Sequence, residues 1–193
     1  MKKVGTFIVA VVCIALVCGG FYLVVQRSNQ SGDADKKLTE IEKLIAKDLD
    51  KTYPNTPREV VKLYNRIITC YYRNEYTEEE LESLADQALL LMDEQLRANN
   101  PKSDYVAAIK ADVLEFSEDK KILAQSEVCD SNDVKYITDG EDKLAYVTTS
   151  YFVKGSSKCD KTYEQFVLRK DSQENWRILC YYKIEGVSSE SDN

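Results

Sequence analysis

Between Val4 and Val25 the chain carries no charged residue. As a helix this run measures about 33 Å, enough to cross a hydrocarbon core of roughly 30 Å. A removable signal peptide has a shorter apolar core, about 7–15 residues, closed by a small-x-small cleavage site. Here the run passes Cys18-Gly19-Gly20 and continues through Phe21 to Val25. Cys13 follows Ala10-Val11-Val12 and Cys18 follows Ala15-Leu16-Val17, a poor fit to lipoprotein processing. An uncleaved single-pass anchor in the cell membrane is therefore expected, in preference to a cleaved or lipidated form. Lys2 and Lys3 precede the run, while Arg27 and then Asp33 and Asp35 come after it. Flanking positive charge places the N-terminus in the cytoplasm and the rest of the chain outside. Tyr22 is a fitting interfacial residue at the outer end.

The chain beyond the span has the size of one domain and is acidic. The whole carries −7, of which Lys2, Lys3 and Arg27 contribute +3, leaving −10 on everything after Arg27. No basic stripe interrupts that acidity, so phosphate backbones are poor partners and nucleic-acid binding is not expected. The chain has no histidine, which excludes Ser-His-Asp and Cys-His hydrolysis, His-containing zinc sites and imidazole acid–base work. Any catalysis has to rest on Asp, Glu, Tyr, Lys or Cys. Cys13 and Cys18 fall inside the apolar run. Cys70, Cys129, Cys159 and Cys180 fall in the body with no CxxC spacing, so neither a metal site nor a redox pair is indicated, and no cofactor. An oxidising compartment favours at least one disulfide; four unpaired thiols are the equal alternative.

Residues 28–52 read as a polar linker leading into a short amphipathic helix. That helix is expected over Lys36 to Leu49, with Leu38, Ile41, Leu44, Ile45 and Leu49 on one face. It is too short for a coiled-coil stalk, so docking onto the body is preferred. Thr56-Pro57-Arg58-Glu59 is a strong helix start, with Thr56 as cap, Pro57 at the first helical position and Glu59 closing a capping box. The helix is expected to run to about Asn74. Thr77 and Glu80 repeat the box, and the apolar period from Leu81 through Met92 to Leu96 predicts one helix up to Asn99-Asn100-Pro101. A third helix begins near Ser103 or Asp104, carrying Val106, Ile109, Val113 and Phe116. From Lys121 the period becomes that of strands: Ile122 to Cys129, Val134 to Thr138, Leu144 to Val153, Cys159 to Lys170 and Trp176 to Glu185. Asp139-Gly140-Glu141-Asp142 marks a hairpin. In the last strand Trp176, Ile178, Cys180, Tyr182 and Ile184 alternate onto the face expected to meet the helices. Arg177, Leu179, Tyr181 and Lys183 fall on the other. Cys70 and Cys180 are thus the pair of thiols to test first. Residues 187–193 are expected to be a disordered acidic tail. Helices first and an antiparallel meander after is an α+β plan.

That order, closing on Leu168-Arg169-Lys170-Asp171 and Trp176-Arg177-Ile178-Leu179, resembles the nuclear transport factor 2-like (cystatin-like) superfamily. With its Thr56 to Asn65 first helix behind a single span, the chain is similar to uncharacterised membrane-anchored members from Gram-positive bacteria. The resemblance covers Tyr53 to Gly186, so residues 1–27 are taken as stub and anchor and 53–186 as the domain. It implies a cone of three helices packed on a curved antiparallel sheet of four or five strands, often with an apolar pocket. Members use that pocket as a ketosteroid-isomerase-like enzyme, as a ligand site, or as a protein-binding or dimerisation surface. The isomerase type needs a carboxylate base with Tyr and a protonated acid as oxyanion hole. Candidate acids here are Glu164, Asp112 and Glu185, but no motif carries catalytic residues over.

Three readings stand. The leading one is a tethered, extracytoplasmic, non-enzymatic module that binds a partner protein or a small apolar ligand. The second is an isomerase- or dehydratase-like enzyme using a buried carboxylate and Tyr. The third is self-assembly, a homodimer through the outer sheet face with Leu179 and Tyr181 as its apolar patch. The tyrosines of the strands suit contact surfaces, having apolar bodies and polar tips. Tyr146, Tyr151 and Tyr181, with Glu164, are the candidate pocket or surface contacts.

Overall fold

The computed structural model describes residues 38–156 and 158–185. The expected span Val4 to Val25, most of the linker and the tail 187–193 lie outside the described residues. Among the described residues no helix is long and apolar enough to cross a membrane. The body is α+β: five helices precede a five-stranded antiparallel sheet.

Three of the helices start in the same way. Thr39, Thr56 and Thr77 each accept a hydrogen bond from the N–H three residues on, and the carboxylates of Glu42, Glu59 and Glu80 accept one from the cap's own N–H. Each box satisfies two amides that a helix end leaves without partners. They open α1 (Glu40–Ile45), α2 (Pro57–Arg73) and α3 (Glu78–Leu90). The α1 helix is shorter than its apolar period suggests, because Thr39 fixes its start and the chain turns away after Ala46. It still docks: Leu44 and Leu49 are buried in the core, and the Gln87 side chain donates to the carbonyls of Ile45 and Lys47. Burying each leucine contributes roughly 1.5–3 kcal/mol. Asn74 ends α2 in the left-handed region, at φ 53°.

The single helix expected from Glu78 to Leu96 is two. The chain leaves α3 at Leu91, and α4 (Glu94–Ala98) starts afresh with Asp93 as its cap. The reason lies in the sheet. Ile178 donates its N–H to the Leu91 carbonyl at 2.8 Å and accepts from the Asp93 N–H at 2.8 Å, so this segment lies along the last strand. The Asp93 carboxylate then takes two hydrogen bonds from Arg169, at 2.7 and 3.1 Å. Helical continuation would forfeit all four. Helix α5 (Lys102–Glu118) comes after Pro101 and buries Tyr105, Ile109 and Val113.

The strands are β1 (Ile122–Val128), β2 (Lys135–Asp139), β3 (Asp142–Lys154), β4 (Cys159–Lys170) and β5 (Trp176–Ile184). Long β3 is the backbone of the sheet. Its first half pairs with β2, its second half with β1, and its far side with β4, which pairs with β5. The sheet is open. Gly140 makes the β2–β3 turn with φ 61°, a conformation costly for a residue with a Cβ. The inner face carries Ala145, Val147 and Thr149 of β3 and Phe166 and Leu168 of β4, all essentially inaccessible, and α2 lies across it.

One irregularity changes which side chains of β5 face inward. Leu168 pairs with Ile178 but Val167 pairs with Cys180, so Leu179 is an extra residue, a β-bulge. Trp176 and Ile178 point to the helices as expected. Beyond the bulge the alternation is inverted: Tyr181 stacks on the inward-facing Phe166 with ring centroids 5.3 Å apart, while Cys180 and Tyr182 are exposed. The expected inner face of Cys180, Tyr182 and Ile184 and the expected outer patch of Leu179 and Tyr181 are both corrected by this bulge. Cys70 is buried in α2, Cys180 stands on the opposite side of the sheet, and all four thiols of the described residues are free.

Candidate functional site

A cavity of about 460 Å³ opens between α2, α5 and the inner face of the sheet. Helical spacing explains its first wall. Tyr64, Ile68, Tyr71 and Tyr72 stand at i, i+4, i+7 and i+8 of α2 and so share one face. Helix α5 contributes Tyr105, Ile109, Asp112 and Phe116 at alternating steps of three and four. The floor comes from inward positions of four strands, with Leu123 of β1, Tyr151 of β3, Glu164 of β4 and Tyr181 of β5.

The phenols are linked. The Tyr151 hydroxyl donates to Asn65 Oδ1 at 2.8 Å, and Asn65 Nδ2 reaches Thr149 Oγ1 at 3.4 Å. The Tyr64 hydroxyl donates to that of Tyr181 at 3.3 Å and lies 3.5 Å from that of Tyr105. At the mouth the Tyr72 hydroxyl donates to Asp112 Oδ2, and its ring lies 4.5 Å from that of Phe116. The Tyr71 hydroxyl differs from the rest. Its residue is 2 % exposed, and the oxygen makes no hydrogen bond among the described residues. Burial first, and then the neighbouring Tyr105 hydroxyl, hold the Tyr71 phenol in its neutral form. A buried hydroxyl without a partner costs about 1–3 kcal/mol, which makes it a natural place for a ligand's polar group.

Burial also sets the protonation states. It lifts Tyr64, Tyr71, Tyr72 and Tyr151 well above the ordinary phenol range and Tyr105 to about 12. All five are neutral hydrogen-bonding groups at physiological pH, not bases. Glu164 is the half-buried carboxyl of the cavity floor. Burial raises its pKa, the Tyr151 hydroxyl opposes the rise, the charge of Asp112 adds to it, and Lys183 on the neighbouring strand lowers it.

Of the four contacts expected from the sequence, the structure brings Tyr151, Glu164 and Tyr181 into this cavity. Tyr146 is not among them; it pairs with Lys135 and Val167 and faces the other side of the sheet. Asp112 joins the cavity rim, whereas Glu185 lies beyond the end of β5. None of the four helix tyrosines was expected from the sequence as a site residue. A larger furrow of about 1100 Å³ runs past Lys62, Arg66, Asp133 and Lys135 on another side of α2. Those four side chains are exposed, and among the described residues the furrow has no buried carboxyl or orphaned hydroxyl. Among the described residues no three Cys, Asp or Glu side chains are grouped to hold a metal ion.

A family model described as a domain of unknown function (DUF6715) matches residues 1–181. No curated protein matches the chain.

Proposed function

The chain belongs to the DUF6715 family, a domain of unknown function, and we propose that its body is a nuclear transport factor 2-like ligand-binding module. In this reading the Val4 to Val25 run tethers the module to the cell membrane with the body outside, and the cavity takes one small, mainly apolar molecule. The observation that carries it is the cavity itself, about 460 Å³ in volume, floored by a sheet and roofed by two helices, with an orphaned Tyr71 hydroxyl inside. Pockets of roughly 300–1,000 Å³ with apolar walls and a few convergent polar groups are the usual form of small-molecule sites. The experiment is native mass spectrometry of the body, cleaved from its own membrane at a protease site placed in the linker. A reproducible added mass is expected, and Ala108→Trp, which fills the cavity mouth, should abolish it. A clean unliganded mass for both proteins counts against the reading. Protease digestion of intact cells tests the location: an extracytoplasmic body is degraded without lysis.

A second reading draws on the two carboxyls of the cavity. Asp112 is held by a phenol and burial raises the pKa of Glu164, so the cavity holds two carboxyls in unlike surroundings, the arrangement from which proton transfer at a carbon next to a carbonyl can draw an acid and a base. Deuterium exchange into a panel of ketones, lost in Glu164→Gln, is its test.

A further inference from the structure

We infer that the ligand of this cavity is an organic ammonium, a cation on an apolar body, held between tyrosine rings and the carboxylates of Glu164 and Asp112. The inference rests on the ligand-binding reading above and gives that ligand a chemical class.

Three features of the lining point the same way. Six of the chain's thirteen tyrosines line the cavity: Tyr64, Tyr71, Tyr72, Tyr105, Tyr151 and Tyr181. Aromatic faces are electronegative and attract desolvated cations, which is how quaternary and primary ammonium groups are bound in aromatic cages. The only ionisable groups besides these phenols are two acids, Glu164 within and Asp112 at the mouth; no Lys or Arg lines the cavity among the described residues. The third feature is the Tyr71 oxygen, buried and without a hydrogen bond among the described residues, which can accept from an ammonium N–H.

The other ligand classes fit worse. An anion would meet two carboxyl groups and, among the described lining residues, no cation. A wholly apolar molecule would leave the Tyr71 hydroxyl, unpaired among the described residues, buried at a desolvation cost, and would give the Glu164 carboxyl nothing beyond its contact with the Tyr151 hydroxyl. Lys183, the register partner of Glu164 on β5, is the cation that lowers its pKa. Lys183 is exposed and forms no ion pair with Glu164 among the described residues. The acidity of the body after Arg27 adds a long-range field that concentrates cations near the mouth.

Binding should be linked to the charge of Glu164. In the free cavity burial favours its neutral form, with Asp112 of α5 adding to that preference and Tyr151 of β3 and Lys183 of β5 opposing it. A bound ammonium reverses the balance and expels the proton, so affinity rises as pH rises through the titration of the free carboxyl.

The test uses three ligands of one size and three charges: 3-phenylpropylammonium, 3-phenylpropan-1-ol and 3-phenylpropanoate. Each is titrated calorimetrically into the full chain in phosphatidylglycerol nanodiscs, with empty discs subtracted. The ammonium is expected to bind at least about tenfold more tightly than the alcohol, and the carboxylate weakest of all. Glu164→Gln should cost the ammonium about tenfold more than it costs the alcohol, and ammonium affinity should rise as pH rises through the titration of the Glu164 carboxyl, whose pKa burial raises. An alcohol that binds as tightly as the ammonium, or a Glu164→Gln loss equal for both, overturns the ammonium class while the ligand-binding reading stands. Failure of all three to bind overturns the ammonium class, and the added mass sought by native mass spectrometry then decides the ligand-binding reading on its own.

Discussion

Glu164 is a residue whose position costs the fold something. Burial raises its pKa above the value it has in the unfolded chain. Below the unfolded value, about 4.3 for Glu, both states are protonated and the group is neutral to stability. As pH rises past that value the unfolded chain ionises first, so stability falls and stays lower above the folded pKa. Glu164→Gln is therefore expected to raise the urea midpoint at pH 7 and to leave it nearly unchanged at about pH 4. A variant destabilised equally at both pH values would show that the carboxyl has a structural role instead. Asp93 is the opposite case. At 5 % exposure it accepts two hydrogen bonds from Arg169 and one from the Gln95 N–H. Asp93→Ala leaves a guanidinium without its partner and α4 without its cap. Because Arg169 remains a quarter exposed, the loss should fall at the low end for broken buried pairs, about 3 kcal/mol in chemical denaturation.

At the scale of elements, local chemistry was legible and long-range pairing was not. The Thr-x-x-Glu boxes at Thr56 and Thr77 and the Asp139-Gly140 turn announce their elements because each satisfies its own backbone within four residues. The break between α3 and α4 does not, since the apolar period runs on to Leu96 and the competing hydrogen bonds come from Ile178, far along the chain. The Leu179 bulge is equally silent. Nothing in Trp176 to Ile184 marks an extra residue, yet it decides that Tyr181 enters the cavity and Cys180 leaves the core. For the same reason the sequence offered three of the cavity's polar residues from the strands and none of the helix tyrosines as a site. Their convergence is a property of α2 lying across β3, not of any spacing. The bulge has a chemical readout. In the folded body a thiol reagent is expected to label exposed Cys159 and Cys180 quickly, and Cys70, 2 % exposed with burial raising its pKa, only on unfolding. A body about 2 Da light, with Cys70 and Cys180 both unreactive, would instead mean a disulfide and a β5 without the bulge.

The whole body shares one core. A single cluster of buried side chains extends from Leu44 in α1 to Ile178 in β5, and α1, though remote in sequence from the sheet, is clamped by Gln87 of α3. Tyr53 ties the same N-terminal segment to the last strand, its hydroxyl donating to the Trp176 carbonyl at 2.8 Å beneath the Arg177 guanidinium. The cavity draws its walls from α2, α5 and four strands, so its geometry exists only when both halves of the body are folded. A body beginning at Leu38 is accordingly expected to unfold in one transition. Trp176 is the chain's sole tryptophan and sits in the β4–β5 hairpin, so its fluorescence reports on the sheet while far-UV circular dichroism is weighted to the helices. The two urea curves should coincide. With 3-phenylpropylammonium at a hundred times its Kd they should move together by about 2.7 kcal/mol, because a ligand held by the folded state alone stabilises everything that must fold to hold it. Curves that separate, or a ligand shift seen by one probe only, would mean that the helices and the sheet fold as independent units and that the cavity is assembled by the ligand.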